Sequence, residues 1–93
     1  MRRDKPKLMK KKNVFIVDDD KYVLAGVGKE LESNNYQVTA AERGREALEI
    51  ITHRDFHGYI IDLVLDEIDG LTIIGEIKKR NPDAPVLILT GYG

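Results

Sequence analysis

Asn13-Val-Phe-Ile-Val17, followed at once by Asp18-Asp19-Asp20, is the stretch whose reading decides the fold. Val14 to Val17 is an unbroken apolar run, too short for a buried helix and without polar alternation. That is the pattern of a strand covered on both faces, as in a parallel sheet. Three carboxylates end it abruptly. Working outward, Asp20 is placed to cap a following helix, in which Val23, Leu24, Val27 and Leu31 recur at helical spacing. Gly26 and Gly28 each weaken that helix by roughly 1 kcal/mol relative to Ala, and Ser33-Asn34-Asn35 ends it.

The same alternation continues to the end of the chain. Tyr36 to Ala40 reads as a second strand, and Gly44 opens a short helix with Ala47, Leu48 and Ile51 on its inner side. Tyr59-Ile60-Ile61 is a third buried strand running into Asp62. After a loop from Leu63 to Asp69, a helix is expected from about Gly70 to Arg80, with Leu71, Ile74 and Ile77 inward and Ile73 at the margin. Asn81-Pro82-Asp83 breaks it. Val86 to Leu89 reads as a fourth buried strand, followed by Thr90-Gly91. Strand and helix in strict alternation call for an α/β fold: a parallel sheet with right-handed crossovers and helices on both faces.

In such sheets ligands bind beyond the carboxyl ends of the strands. That rule selects Asp18, Asp19 and Asp20 after the first strand, Asp62 after the third and Thr90 after the fourth. A lone aspartate at a strand end commonly caps the next helix, and Asp20 is assigned that role. Several carboxylates on one rim repel one another and call for a positive partner. Hard oxygen donors suit magnesium, which takes few carboxylates and keeps several waters. A divalent ion also lets a phosphate dianion approach an aspartate, itself a competent phosphoryl acceptor. A nucleotide loop is excluded because the first turn carries aspartates where such loops need glycine.

Composition narrows the function further. The 93 residues allow one domain, and the 42% apolar content allows a modest core. There is no cysteine, which removes disulfides, thiolate metal sites and thiol chemistry and fits a reducing cytoplasm. No apolar run approaches the roughly 20 residues of a membrane span, and no signal peptide is evident. Charge is uneven: residues 1–12 hold seven of the fifteen Lys and Arg and one of the sixteen Asp and Glu. Residues 13–93 are therefore acidic and unsuited to nucleic acid, which would be reached only through a separate output domain. Residues 1–12 are read as a solvated basic tail, with Met9 as an alternative start. His53 and His57 are read as surface residues rather than metal ligands.

Four motifs in order carry a family resemblance: Val17-Asp18-Asp19-Asp20, Ala41-Glu42-Arg43-Gly44-Arg45-Glu46-Ala47-Leu48, Ile60-Ile61-Asp62 with Ile68-Asp69-Gly70, and Leu89-Thr90-Gly91. Over residues 13–93 the chain resembles the receiver domain of bacterial two-component response regulators. The resemblance implies a flavodoxin-like, doubly wound sheet with strand order 2-1-3-4, here four strands and three helices. It implies a cytoplasmic signalling domain rather than an enzyme, limited to self-catalysed phosphotransfer and autodephosphorylation. Asp62 would accept a phosphoryl group from a histidine kinase or phosphotransfer protein. Mg2+ would be held by Asp18, Asp19, Asp62 and the backbone carbonyl of Val64. Thr90 would be the switch hydroxyl and Gly91 the small residue beside it. Val64 and Tyr92 would flank the approach of hydrolytic water.

The chain also departs from that family. Asp66, then Glu67, stands where the family loop usually has Pro, and His57 stands where an Asp is common. The family pattern continues past the switch Thr with a helix, a strand ending in Lys, and a last helix, whereas this sequence stops at Gly93. A receiver cut there is expected to leave apolar sheet surface bare. It would be unstable alone, or would form a homodimer through the fourth-strand edge or by exchange of elements. Two other functions fit in part. One is a phosphate-independent interaction module of the same fold. The other is a phosphatase of the haloacid-dehalogenase type, which would use Asp18-Asp19-Asp20 but give Asp62 no role.

Overall fold

The computed structural model describes residues 11–89. The basic stretch before Lys11, and Thr90, Gly91, Tyr92 and Gly93, lie outside the described residues. The elements are β1 (Lys12–Val17), α1 (Lys21–Ser33), β2 (Tyr36–Ala41), α2 (Gly44–His53), β3 (Gly58–Asp62), α3 (Gly70–Arg80) and β4 (Val86–Leu89). The strands form one sheet in the order β2-β1-β3-β4, every pair parallel. The parallel pairing is that expected from the strand–helix alternation, and the strand order is the one the receiver resemblance implies. β1 begins one residue inside the stretch read as tail, because Lys12 already pairs with Tyr36.

Side chains of β1 alternate between the two faces of the sheet. Phe15 and Val17 join Ala47 and Ile51 of α2 and Ile73 and Ile77 of α3 in the larger core, with Phe56, Tyr59 and Ile61. The rings of Phe15 and Phe56 stack at 4.9 Å, and Tyr59 meets both edge-on while its hydroxyl accepts the Phe56 N–H at 3.1 Å. Val14 and Ile16 point the other way, onto Leu24 of α1 and Ile60, with Val27, Leu31, Tyr36 and Val38 around them. α1 ends where Asn35 takes φ 71°, a left-handed value that Asn tolerates better than most residues.

One packing expectation is corrected. Leu71 was expected inward, but it is 64% exposed and Ile73 is fully buried in its place. The buried stripe of α3 runs through Gly70, Ile73 and Ile77. At 3.6 residues per turn Leu71 stands roughly 120° away from that stripe. β4 reads by composition as a buried strand, yet its edge was expected bare where the sequence stops, and Leu87 is 60% and Ile88 46% exposed. β4 pairs only with β3, so among the described residues it is a sheet edge. An open groove of about 600 Å3 runs beside it on the α1 face, lined by Leu31, Tyr36, Ile60 and Leu87 among others.

Candidate functional site

The parallel register brings the strand ends level. Val17 lies opposite Ala41 on one side and Ile61 on the other, and Asp62 lies opposite Leu89. The residues that follow Val17 therefore emerge beside the end of β3. Asp18, Asp19 and Asp62 each offer a carboxylate oxygen, and these three oxygens lie within 4.8 Å of one another. The sequence singled out these three residues, and the fold brings them together.

Their surroundings differ. Asp18 and Asp62 are each only 6% exposed, whereas Asp19 faces solvent. Asp18 Oδ1 accepts the Asp20 N–H at 2.9 Å, and Asp62 Oδ1 accepts the Val64 N–H at 3.1 Å. Burial raises the Asp18 pKa above its ordinary value, and repulsion from Asp62, Asp19 and Asp20 adds to the rise against the opposing Asp20 N–H. Asp20 stands apart as the cap of α1. Its Oδ1 accepts the N–H groups of Tyr22 at 2.8 Å and Val23 at 3.3 Å, which frees Asp18 and Asp19 from that role.

The donor set fits a hard dication. Oxygens on opposite sides of such an ion stand about 4.2 Å apart for bonds of about 2.1 Å, and about 4.8 Å for bonds of about 2.4 Å. The three carboxylates span that range without rearranging the strands. A cation there would oppose the burial and the like-charge repulsion that together raise the Asp18 pKa.

The loop after Asp62 was less legible. Gly70 donates to Leu63 O at 3.0 Å, and its Cα packs against the Asp62 carbonyl so closely that a β-carbon would collide with it. Asp69 caps α3, its Oδ1 accepting both the N–H and the hydroxyl of Thr72 at 2.9 Å. These bonds lower its pKa. Val64, expected to lend its carbonyl and to flank the approach of hydrolytic water, is 59% exposed. His53 and His57 are exposed as expected, but His57 Nδ1 accepts the Asn13 N–H at 2.9 Å at the far rim of the sheet. The expected switch hydroxyl, Thr90, its neighbour Gly91 and the flanking Tyr92 lie outside the described residues.

Comparison with known proteins gives a consistent set of likenesses. A family model described as the response regulator receiver domain matches residues 14–93. The transcriptional regulatory protein GlrR of Escherichia coli K12 is 40% identical over 81 residues, covering 87% of this chain and 18% of GlrR. The chain thus spans less than a fifth of that relative's length. The response regulator TrrA from Thermotoga maritima, solved in complex with Mg(2+)-BeF, superposes with a TM-score of 0.82 at 33% identity, covering 88% of this chain and 71% of TrrA. A response regulator from Burkholderia pseudomallei, solved with a phosphorylated aspartic acid, a calcium ion and citrate, gives 0.80 at 33% identity, over 88% of this chain and 48% of that one.

Proposed function

Because this chain belongs to the response regulator receiver domain family, a family of two-component signalling domains, we propose that it accepts a phosphoryl group on Asp62 beside a Mg2+ ion held by Asp18, Asp19, Asp62 and the Val64 carbonyl. The observation that carries this reading is the convergence of three carboxylates, two of them buried, on one strand rim. The solved relatives that hold Mg(2+)-BeF, or a phosphorylated aspartic acid with calcium, support the choice of ligands.

The bound ion would offset the negative charge that otherwise keeps phosphate away from a carboxylate. The chain's own residues do the rest. The Val64 N–H fixes the Asp62 carboxylate at the end of β3, so the nucleophile needs no reorientation. An Asp62 oxygen forms a bond to phosphorus as the N–P bond of a phosphohistidine breaks, and the departing imidazole keeps the electron pair and takes up a proton. The transfer is in line and loose, so positioning and charge account for most of the catalysis. Asp18 and Asp19 would hold the ion through their carboxylate oxygens. Thr90 hydrogen-bonds the new phosphoryl group and biases an existing two-state equilibrium toward the form read by an output domain or partner.

The donor is a histidine kinase or phosphotransfer protein, in the cytoplasm. Among the described residues no helix is long and apolar enough to cross a membrane. The domain is a signalling acceptor rather than an enzyme with a separate substrate. Pairing of two copies along β4 belongs to the same reading and rests on the exposed Leu87 and Ile88. Light scattering after size exclusion tests it, with a dimer expected and a stable monomer counting against it.

The test of the main proposal is incubation with Mg2+ and acetyl phosphate, followed by peptide mass spectrometry. One phosphoryl group on Asp62, absent from Asp62→Asn and abolished by chelation, is the expected result. A phosphoryl group on Asp18 would favour a dehalogenase-type phosphatase. No adduct at all would favour a phosphate-independent interaction module.

A further inference from the structure

The loop 63–69 carries both the Val64 N–H that holds Asp62 and the Val64 carbonyl assigned to the ion, yet it has no proline to stiffen it. Asp66 and Glu67 occupy its middle. Its two ends are pinned by the Gly70 N–H on Leu63 O and by the close approach of Gly70 to the Asp62 carbonyl. The middle is held from outside the loop. Leu65 and Ile68 pack against the larger core. Ile68 also closes over the first residue of α2: a β-carbon on Gly44 would stand 2.8 Å from both the Cβ and the carbonyl oxygen of Ile68. The next residue, Arg45, reaches Glu67, with Nε 3.7 Å from Oε1.

We propose that the first turn of α2 is a positioning seat for the phosphoacceptor loop, with Gly44 kept bare so that Ile68 can close over it and hold Val64 in register with Asp62. The inference rests on the functional reading above and extends it to a residue that touches neither ion nor phosphate. Gly44 needs no special dihedral angle, since no glycine with positive φ occurs among the described residues. The close approach alone excludes a side chain. Half of that contact is to a backbone oxygen, which no change of rotamer relieves, so a methyl group at residue 44 must move the loop itself. The Arg45–Glu67 pair is exposed and adds little by itself. The packing of Ile68 is the main hold.

Mg2+ affinity measured by calorimetry on the full chain tests the seat, at a temperature where circular dichroism shows each variant folded. Gly44→Ala is expected to weaken Mg2+ binding about tenfold, as loss of support behind a metal ligand typically does. Gly26→Ala, which adds the same methyl group to a helix where nothing lies within 4 Å, should leave affinity unchanged. Ile68→Ala removes the seated side chain without a clash and should weaken binding in the same direction by a smaller factor. It keeps the test open if Gly44→Ala does not fold. Affinities of both loop-seat variants within twofold of the parent would overturn the seat while leaving the Asp62 reading intact. Failure of the parent itself to bind Mg2+ would overturn both.

Discussion

The packed core between the sheet and helices α2 and α3 and the two buried aspartates of the acidic rim are alike in burial and oppositely satisfied. Asp18 and Asp62 are as hidden from water as Phe56 and Tyr59. Yet the core closes on itself through apolar contact and stacked rings, while the rim gathers like charges. Burial therefore stabilises one region and strains the other. The lesson is that the rim is built for something absent from the chain: the buried Asp18 carboxylate, with like charges beside it, costs stability until a cation joins it. Core and rim should consequently respond in opposite ways to mutation, pH and metal.

The largest effect belongs to the core. Phe15→Ala empties a fully buried site between two aromatic neighbours and should cost about 3–5 kcal/mol. That is a large share of the roughly 5–15 kcal/mol that holds a domain of this kind together. Urea denaturation should show the loss equally with and without Mg2+. A loss that Mg2+ reverses would break the separation of core from rim.

The rim should behave in the opposite sense. Asp18→Asn keeps an acceptor for the Asp20 N–H but removes one buried like charge. It should stabilise the metal-free protein by about 1 kcal/mol, seen as a melting temperature about 4–8 °C higher. The same variant should gain far less from Mg2+ than the parent. A lower melting temperature without Mg2+ would mean the carboxylate is already satisfied.

pH sharpens the same contrast. The Asp18 pKa is raised in the folded state by burial and by its acidic neighbours, so the folded chain binds the proton more tightly than the unfolded one. This contribution to stability is fully present below the ordinary carboxylate value and is lost as pH rises through the raised one. Metal-free melting temperatures should carry this fall from about pH 4 upward, and Asp18→Asn should remove it. Saturating Mg2+ should oppose it, because the ion binds the ionised form. Identical pH profiles for the parent and Asp18→Asn would contradict the assignment.

The smallest change lies away from both regions. Gly26 sits inside α1 with open space around it, so Gly26→Ala should add about 0.5–1 kcal/mol by restricting the unfolded chain and favouring the helix. Thermal melting should show that gain unchanged by Mg2+. A dependence on Mg2+ would mean that α1 couples to the rim.

Much of this was legible in the sequence because it depends on local pattern. An apolar run ending in acids specifies both the central strand and the rim, and the Asp20 cap follows from its place before a helical stripe. The gathering of Asp18, Asp19 and Asp62 followed from alternation and from the rule about carboxyl ends, whereas the strand order came from the family resemblance. What escaped depends on neighbours distant in sequence. Leu71 and Ile73 are equally apolar, and only the orientation of α3 on the sheet decides between them. The close approach of Ile68 to Gly44 joins a loop to a helix that ends well before it, and no spacing rule announces it.

The most direct test of the central claim is the melting temperature of the full chain, followed by calorimetry as Mg2+ is added. A ligand that binds only the folded form stabilises it in proportion to RT ln(1 + [L]/Kd). The melting temperature should rise continuously with Mg2+ concentration, fall back on chelation, and stay unmoved in Asp62→Asn. A melting temperature indifferent to Mg2+, or one that rises equally in Asp62→Asn, would contradict the claim.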